Sequence, residues 1–184
     1  MSINHDNSQP TYSTGAKIIH AVTALLVLIN IGWGLHMEHF PGYKHGQPEW
    51  NDLLFYHASI GALIFWLTVV RVVWRAKHQP PQEPAAMPAW QKTVAKLVHG
   101  ALYFILLALP LSGYIHRLAG NHAVSFWGAF NWPILLDPNE PLRLLMDKIH
   151  VGLACVLIAL LVLHLAAVFK HTLIDRDGIL KRMF

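Results

Sequence analysis

Four long stretches of this sequence contain no Asp, Glu, Lys or Arg. They cover residues 18–37, 53–70, 97–116 and 149–169. Each is about as long as the roughly 17–25 residues that an α-helix needs to cross a bilayer. Inside hydrocarbon the backbone must satisfy its own N–H and C=O groups, so we expect these stretches to be helices rather than strands. An apolar content of 54% agrees, because it is higher than soluble domains of this length usually carry.

The sequence therefore predicts an all-α integral membrane protein with a single domain over residues 1–184. We expect a four-helix bundle with spans of about 17–37, 53–75, 93–117 and 145–170, and a frayed polar segment over residues 1–15. The aromatic-rich connection over residues 120–141 favours an interfacial helix or an aromatic belt at headgroup level. The alternative for this connection is the mouth of a quinone or substrate site.

Basic residues mark the cytoplasmic side of membrane proteins. They concentrate before the first span, in the second connection and after the fourth span, at Lys17, Arg71, Arg75, Lys77, Lys92, Lys96, Lys170, Arg176, Lys181 and Arg182. Both termini are therefore expected to be cytoplasmic. The formal net charge of +4 reflects this topology and attraction to anionic lipid, and it gives no reason to expect a nucleic-acid partner.

The fourth apolar stretch carries two histidines, His150 and His164, fourteen residues apart. On an α-helix this gap moves a side chain about 21 Å along the axis with about 40° of net rotation, so both rings face the same neighbours. In the first stretch, His20 and His36 are separated by a rotation of about 160°, and in the third stretch His99 and His116 are separated by about 100°. Neither pair can therefore lie on one face of its helix. Intramembrane histidines are rare and are functional by default.

Two neutral imidazoles from different helices at one depth are the axial ligands of a b-type haem. At the outer depth, His57 is the better partner of His150, because it lies inside its span whereas His36 and His116 lie at the membrane edge.

At the inner depth, His20 and His99 compete for His164, and depth alone does not separate them. The plain alternative for any single histidine is a hydrogen bond to a backbone carbonyl or a water. We expect His99 to support an iron-ligating histidine from a neighbouring position, or to contact a quinone, rather than to bind the iron itself.

The chain has one cysteine, Cys155, so a covalent C-x-x-C-H haem site and a Cys-ligated iron–sulfur cluster are both excluded. We therefore expect two non-covalent haem b groups, and we expect Cys155 to be a small core residue.

Arg71 and Arg75 at the inner end of the second span, and Arg117 and Lys148 at the outer ends, lie where haem propionates would emerge. Charge anchoring of the helix ends is the alternative. Pro110 is expected to kink the third helix. Several glycines would admit a porphyrin face or allow close helix packing: Gly32, Gly34, Gly61, Gly100, Gly113 and Gly152.

Three segments resemble the bacterial cytochrome b561 family: VVRVVWR at residues 69–75, HGALYFILLALPLSGY at residues 99–114, and the tail KHTLIDRDGILKRM after the fourth span. The resemblance covers nearly the whole chain. It implies a four-helix bundle with two b haems, His20 paired with His164 and His57 paired with His150. It also implies electron exchange with membrane quinone in a bacterial inner membrane.

The function we expect is electron transfer between the quinone pool, with ubiquinone as the substrate, and a periplasmic or membrane redox protein. A broader branch of the family resembles the cytochrome b subunits of nickel–iron hydrogenases. An alternative is superoxide:ubiquinone oxidoreductase activity, as in one branch of the family. The mildly acidic outer loops argue against it, although Arg117, Arg143 and Lys148 could form a local positive patch. A histidine-rich metal transporter is a remote third reading, because the four spans lack carboxylates.

Overall fold

The computed structural model describes residues 11–39, 48–78, 80–84 and 87–183. Four long helices dominate it: α1 (Thr14–His39), α2 (Pro48–Lys77), α3 (Ala89–Ala119) and α4 (Glu140–Phe169). A small antiparallel hairpin, β1 (Ser125–Phe126) and β2 (Phe130–Asn131), lies between α3 and α4. A π-helical turn over Lys170–Asp175 follows α4, and the short helix α5 (Ile179–Met183) follows the turn.

All four long helices are apolar and long enough to cross a membrane. Helices α1, α2 and α3 extend beyond the predicted spans at both ends, whereas α4 begins five residues before its predicted span and ends one residue before the predicted end. The surfaces of all four helices carry many exposed aliphatic and aromatic side chains, such as Leu25, Phe104 and Val162. A helix that is apolar on every side belongs in lipid or in a large core. The all-helical architecture that we predicted from the four uncharged stretches is therefore confirmed in its main features.

The bundle core contains side chains from each of the four helices. It consists of Val27 from α1, Ile60 and Ile64 from α2, Ile105 from α3 and Leu157 from α4. Leu157 is seven residues from His150 and seven from His164. The core is therefore a layer across the middle of the bundle, and it separates the outer histidines from the inner ones.

The connection between α3 and α4 is not the interfacial helix that its composition suggested. Trp127 and Gly128 have positive φ values of 52° and 71°, which turn the chain back on itself as a hairpin. The wholly buried Ser59 of α2 binds the hairpin: its hydroxyl donates to the Ser125 carbonyl at 3.3 Å and accepts from the Trp127 N–H at 3.2 Å. These tertiary hydrogen bonds, rather than the aromatic composition of the connection, determine its conformation.

The hairpin contacts α2 at a depth that lies inside the apolar stretch of this helix. Ser59 lies six residues inside its apolar stretch, which corresponds to roughly 9 Å of helix rise. Trp132 stacks on Trp66 of α2 with ring centroids 6.3 Å apart, and the Tyr114 hydroxyl of α3 donates to the Pro133 carbonyl at 2.5 Å. Irregular backbone is tolerated at such depth where protein satisfies it, and α2 and α3 do so here.

Cys155 is exposed, so its expected place in the core was wrong. The reason is helix geometry. Leu157 is 2% exposed and faces the core, and a residue two positions away lies about 200° around the helix. Cys155 therefore points to the lipid side of α4.

The residues just before α1, the connection between α2 and α3, and helix α5 are hydrogen-bonded to one another. The Tyr12 N–H donates to the Arg182 carbonyl at 3.0 Å, and the buried Arg182 guanidinium donates to the Gln82 carbonyl at 2.5 Å. Ser13 accepts a hydrogen bond from the Trp74 indole at 3.3 Å. Of the segment predicted to be frayed, residues 1–10 lie outside the described residues.

Candidate functional site

The outer site joins a histidine of α2 to a histidine of α4. The ring centroids of His57 and His150 are 6.1 Å apart, with the ring planes at 73° to each other. Since metal–imidazole bonds are about 2 Å long and a ring centre lies about 1 Å behind its nitrogen, two imidazoles on opposite sides of one iron have centroids roughly 6 Å apart. The two outer imidazoles have a separation that fits this geometry.

Helix α3 fixes the His150 ring. The His150 Nδ1 atom is 3.1 Å from the Leu109 carbonyl oxygen and 3.1 Å from the Ser112 hydroxyl oxygen. Because a carbonyl only accepts hydrogen bonds, Nδ1 carries the proton. The Nε2 lone pair is then available for a metal, which is the usual arrangement of a ligating histidine.

Glycines of neighbouring helices make room for both outer rings. A Cβ atom added to Gly113 of α3 would lie 3.0 Å from His150 Cε1, and one added to Gly34 of α1 would lie 3.2 Å from His57 Cε1. Among the other glycines singled out in the sequence, Gly61 faces the Asn30 side chain at 3.6 Å. The remaining three face open space: Gly32, Gly100 and Gly152.

The inner site brings together histidines from three helices. The rings of His99 (α3) and His164 (α4) have centroids 5.4 Å apart and planes at 67°. His20 of α1 interacts electrostatically with both of them and with Arg71. Both candidate partners of His164, His20 and His99, therefore lie near it. The pairing of His20 with His164 stays a prediction.

Arginines lie beside the inner histidines. The Arg71 guanidinium carbon is 5.2 Å from the centre of the Tyr103 ring, a cation–π contact. Arg71 and Arg75 also line a cavity of about 380 Å³, together with Tyr12, Trp74 and Tyr103. Two cations at the edge of this cavity form an environment for carboxylate groups.

Lys148 is exposed and lies about 200° around α4 from His150. The structure therefore places it on the opposite face of the helix from the outer pair.

Basic groups gather at the outer end of α3. The His116 Nδ1 atom is 3.1 Å from the Arg143 carbonyl oxygen, and the Arg143 guanidinium pairs with Glu140 at 2.5 Å. Partial desolvation, then the nearby Arg117, lowers the pKa of His122. Within the described ranges Arg117 makes no ion pair; its guanidinium contacts the Ala123 carbonyl at 3.5 Å.

Three contributors to these sites were not identified from the sequence: the Leu109 carbonyl, Ser112 and Tyr103. Ser112 offered a signal, because a hydroxyl beside a glycine in an apolar span is a polar group that needs a partner. The Leu109 carbonyl offered none, since any residue supplies a carbonyl. Tyr103 was visible only as one of many span aromatics.

The comparisons with known proteins all match one family. A family model described as prokaryotic cytochrome b561 matches residues 11–184. Cytochrome b561 homolog 2 of Escherichia coli (strain K12) is 30% identical over 180 residues, which cover 96% of this chain and 93% of the relative. Cytochrome b561 homolog 1 of the same organism is 29% identical over 165 residues, which cover 90% of this chain and 92% of the relative.

Proposed function

The chain belongs to the prokaryotic cytochrome b561 family, and we propose that it is a di-haem cytochrome carrying electrons between the quinone pool and a redox partner. The family resemblance of its motifs is thereby confirmed. Membership makes the chain a multi-pass bacterial membrane cytochrome that binds haem b and transfers electrons. The number of haems, the quinone and the partner belong to the proposal.

One observation carries the proposal: histidines from different helices meet at two depths, on either side of an apolar layer that includes Leu157. We assign His57 and His150 as the ligands of an outer haem. His164 with His20 would hold an inner haem, and His99 would lie beside it. A bound haem b supplies a one-electron iron couple.

The other residues orient the cofactor and exclude water. Arg71 and Arg75 lie where they would neutralise carboxylates of an inner haem, as an arginine fork does with propionates. The core layer keeps water from the roughly 21 Å between the two histidine depths. Electrons would therefore cross the bundle without a solvated path between the sites.

The distribution of basic residues supports an inner-membrane topology with both termini in the cytoplasm. His20, His99 and His164 then lie in the cytoplasmic half of the bundle. The cavity beside them, with Trp74 and Tyr103 in its wall, has room for a flat quinone head group within reach of the inner site.

Superoxide oxidation is the second candidate, and the basic group at the outer end of α3 favours it. Arg117 and Arg143 both act on His122, and His116 of the same group interacts electrostatically with His150. A positive field near the outer site would attract a small anion. Glu140 neutralises Arg143, so Arg117 carries most of this local charge.

An anaerobic redox titration of the purified protein, followed by visible spectrum, tests the proposal. We expect two low-spin haems per chain with separate midpoint potentials, and rapid haem reduction by ubiquinol in stopped-flow mixing. One haem per chain, or none, would contradict the di-haem assignment. Haems that superoxide reduces and ubiquinol does not would make superoxide oxidation the function.

A further inference from the structure

The outer site contains a polar side chain that the electron-transfer assignment does not use. Ser112 of α3 is 4% exposed. Its Oγ atom is 2.7 Å from the Leu109 carbonyl oxygen and 3.1 Å from His150 Nδ1. Because the carbonyl only accepts, the Ser112 hydroxyl donates its hydrogen there, and an Oγ lone pair is left facing the ring N–H. The His150 N–H is thus shared between two oxygen acceptors on one turn of α3.

The partner ligand has a different environment. The Nδ1 atom of His57 is buried and has no short, well-aligned acceptor among the described residues; the hydrogen-bonding group that interacts with the His57 ring is the backbone of Asn30 on α1. The two outer imidazoles are therefore unequal: α3 supplies acceptors to the N–H of His150. An acceptor on that N–H increases the electron density on the ring, which makes it a stronger ligand and favours oxidised iron.

Ser112 also differs from the two buried threonines of the long helices. Thr23 donates to the Ile19 carbonyl at 2.6 Å and Thr68 donates to the Ile64 carbonyl at 2.7 Å. Both bond the carbonyl four residues back, which satisfies a hydroxyl inside a helix. Ser112 instead bonds the carbonyl three residues back, in the turn that contains Pro110, and its oxygen meets a histidine.

We infer that Ser112 is a positioning residue of the outer haem site, which orients the His150 imidazole and thereby lowers the redox potential of the outer haem. The inference rests on the proposed function, because it requires a haem held by His57 and His150. Ser112 acts through His150 and does not itself contact the iron.

The test compares three full-length variants: Ser112→Ala, which removes the hydroxyl, Ser112→Thr, which keeps it, and Thr68→Val, which removes a buried hydroxyl without histidine contact. Midpoint potentials and low-spin EPR g values are measured for both haems. The potential of the outer haem is identified as the one that remains in His164→Ala.

We expect Ser112→Ala to change the EPR signal of the outer haem and to raise its potential. At the wild-type midpoint, the ratio of reduced to oxidised outer haem should rise about three- to tenfold, which corresponds to roughly 30–60 mV for a one-electron couple. The inner haem should not change. Ser112→Thr and Thr68→Val should both keep the wild-type potential of the outer haem.

An outer haem that Ser112→Ala retains with unchanged potential and EPR signal would overturn the inference and leave the proposed function intact. If Ser112→Ala loses the outer haem, Ser112→Thr decides: retention at the wild-type potential supports the hydroxyl, and loss shows that only packing volume matters. A purified protein without any haem bound by His150 would overturn the proposed function, and the inference with it.

Discussion

Gly113→Ala is the glycine substitution that the outer site should tolerate least. The added Cβ atom would lie 3.0 Å from His150 Cε1 and 3.1 Å from His150 Nδ1, whereas carbon atoms in favourable contact are about 3.5–4.0 Å apart. The ring must therefore move by roughly half an ångström. That movement lengthens the 3.1 Å contacts of Nδ1 with Leu109 and Ser112, which are already at the long end of hydrogen bonding.

Two opposing effects set the magnitude. Alanine is the better helix former by up to about 1 kcal/mol, which would stabilise α3. Overpacking a filled site costs about 1–3 kcal/mol, and each weakened hydrogen bond adds roughly 1 kcal/mol. The cost exceeds the gain, so we expect outer-haem affinity to fall by at least about tenfold, while the inner haem stays bound.

The glycines differ in how closely an added Cβ atom would approach a histidine ring, so their alanine variants form a graded series. The assay is the haem content per chain, measured after purification and again after titration with an apoprotein that competes for haem. Gly34→Ala should have a smaller effect, because its Cβ would lie 3.2 Å from His57 Cε1. Gly32→Ala is the matched control, since Gly32 faces open space about 200° around α1 from Gly34. Equal outer-haem content in the Gly113 and Gly32 variants would refute this reasoning.

Three further predictions test other parts of the molecule. His20→Ala should remove the inner haem and spare the outer one, and the visible spectrum measures both; if His99→Ala does this instead, His99 is the ligand. Ser59→Ala should accelerate hydrogen exchange in residues 125–131 by about five- to a hundredfold, because two backbone groups of the hairpin lose a partner worth about 1–3 kcal/mol; unchanged exchange would mean that Ser59 does not hold the hairpin. Leu157→Ala should lower the unfolding free energy by about 2–5 kcal/mol and Cys155→Ala by less than about 0.5 kcal/mol, measured by denaturation in detergent, since only Leu157 is in the core; equal losses would contradict this placement.

The inner site shows where reasoning from sequence reached its limit. Depth along a helix follows from counting residues, so His20, His99 and His164 could be assigned to one level without a structure. The rotation of each helix about its axis depends on side-chain packing with its neighbours, which no residue count supplies. The ring contact between His99 and His164 therefore emerged only in the assembled bundle.

By itself, the sequence determined the four membrane helices, the two histidine depths and the family. Each of these depends on one-dimensional quantities: the length of an uncharged stretch, the rise per residue and the spacing of motifs. Only the tertiary structure decided that Ser59 holds a hairpin beside α2, that Cys155 faces outward, and that Gly113 and Ser112 support His150. The physical reason is that these features are contacts between residues 37 or more positions apart, or the orientation of one helix face, and packing across the bundle fixes both.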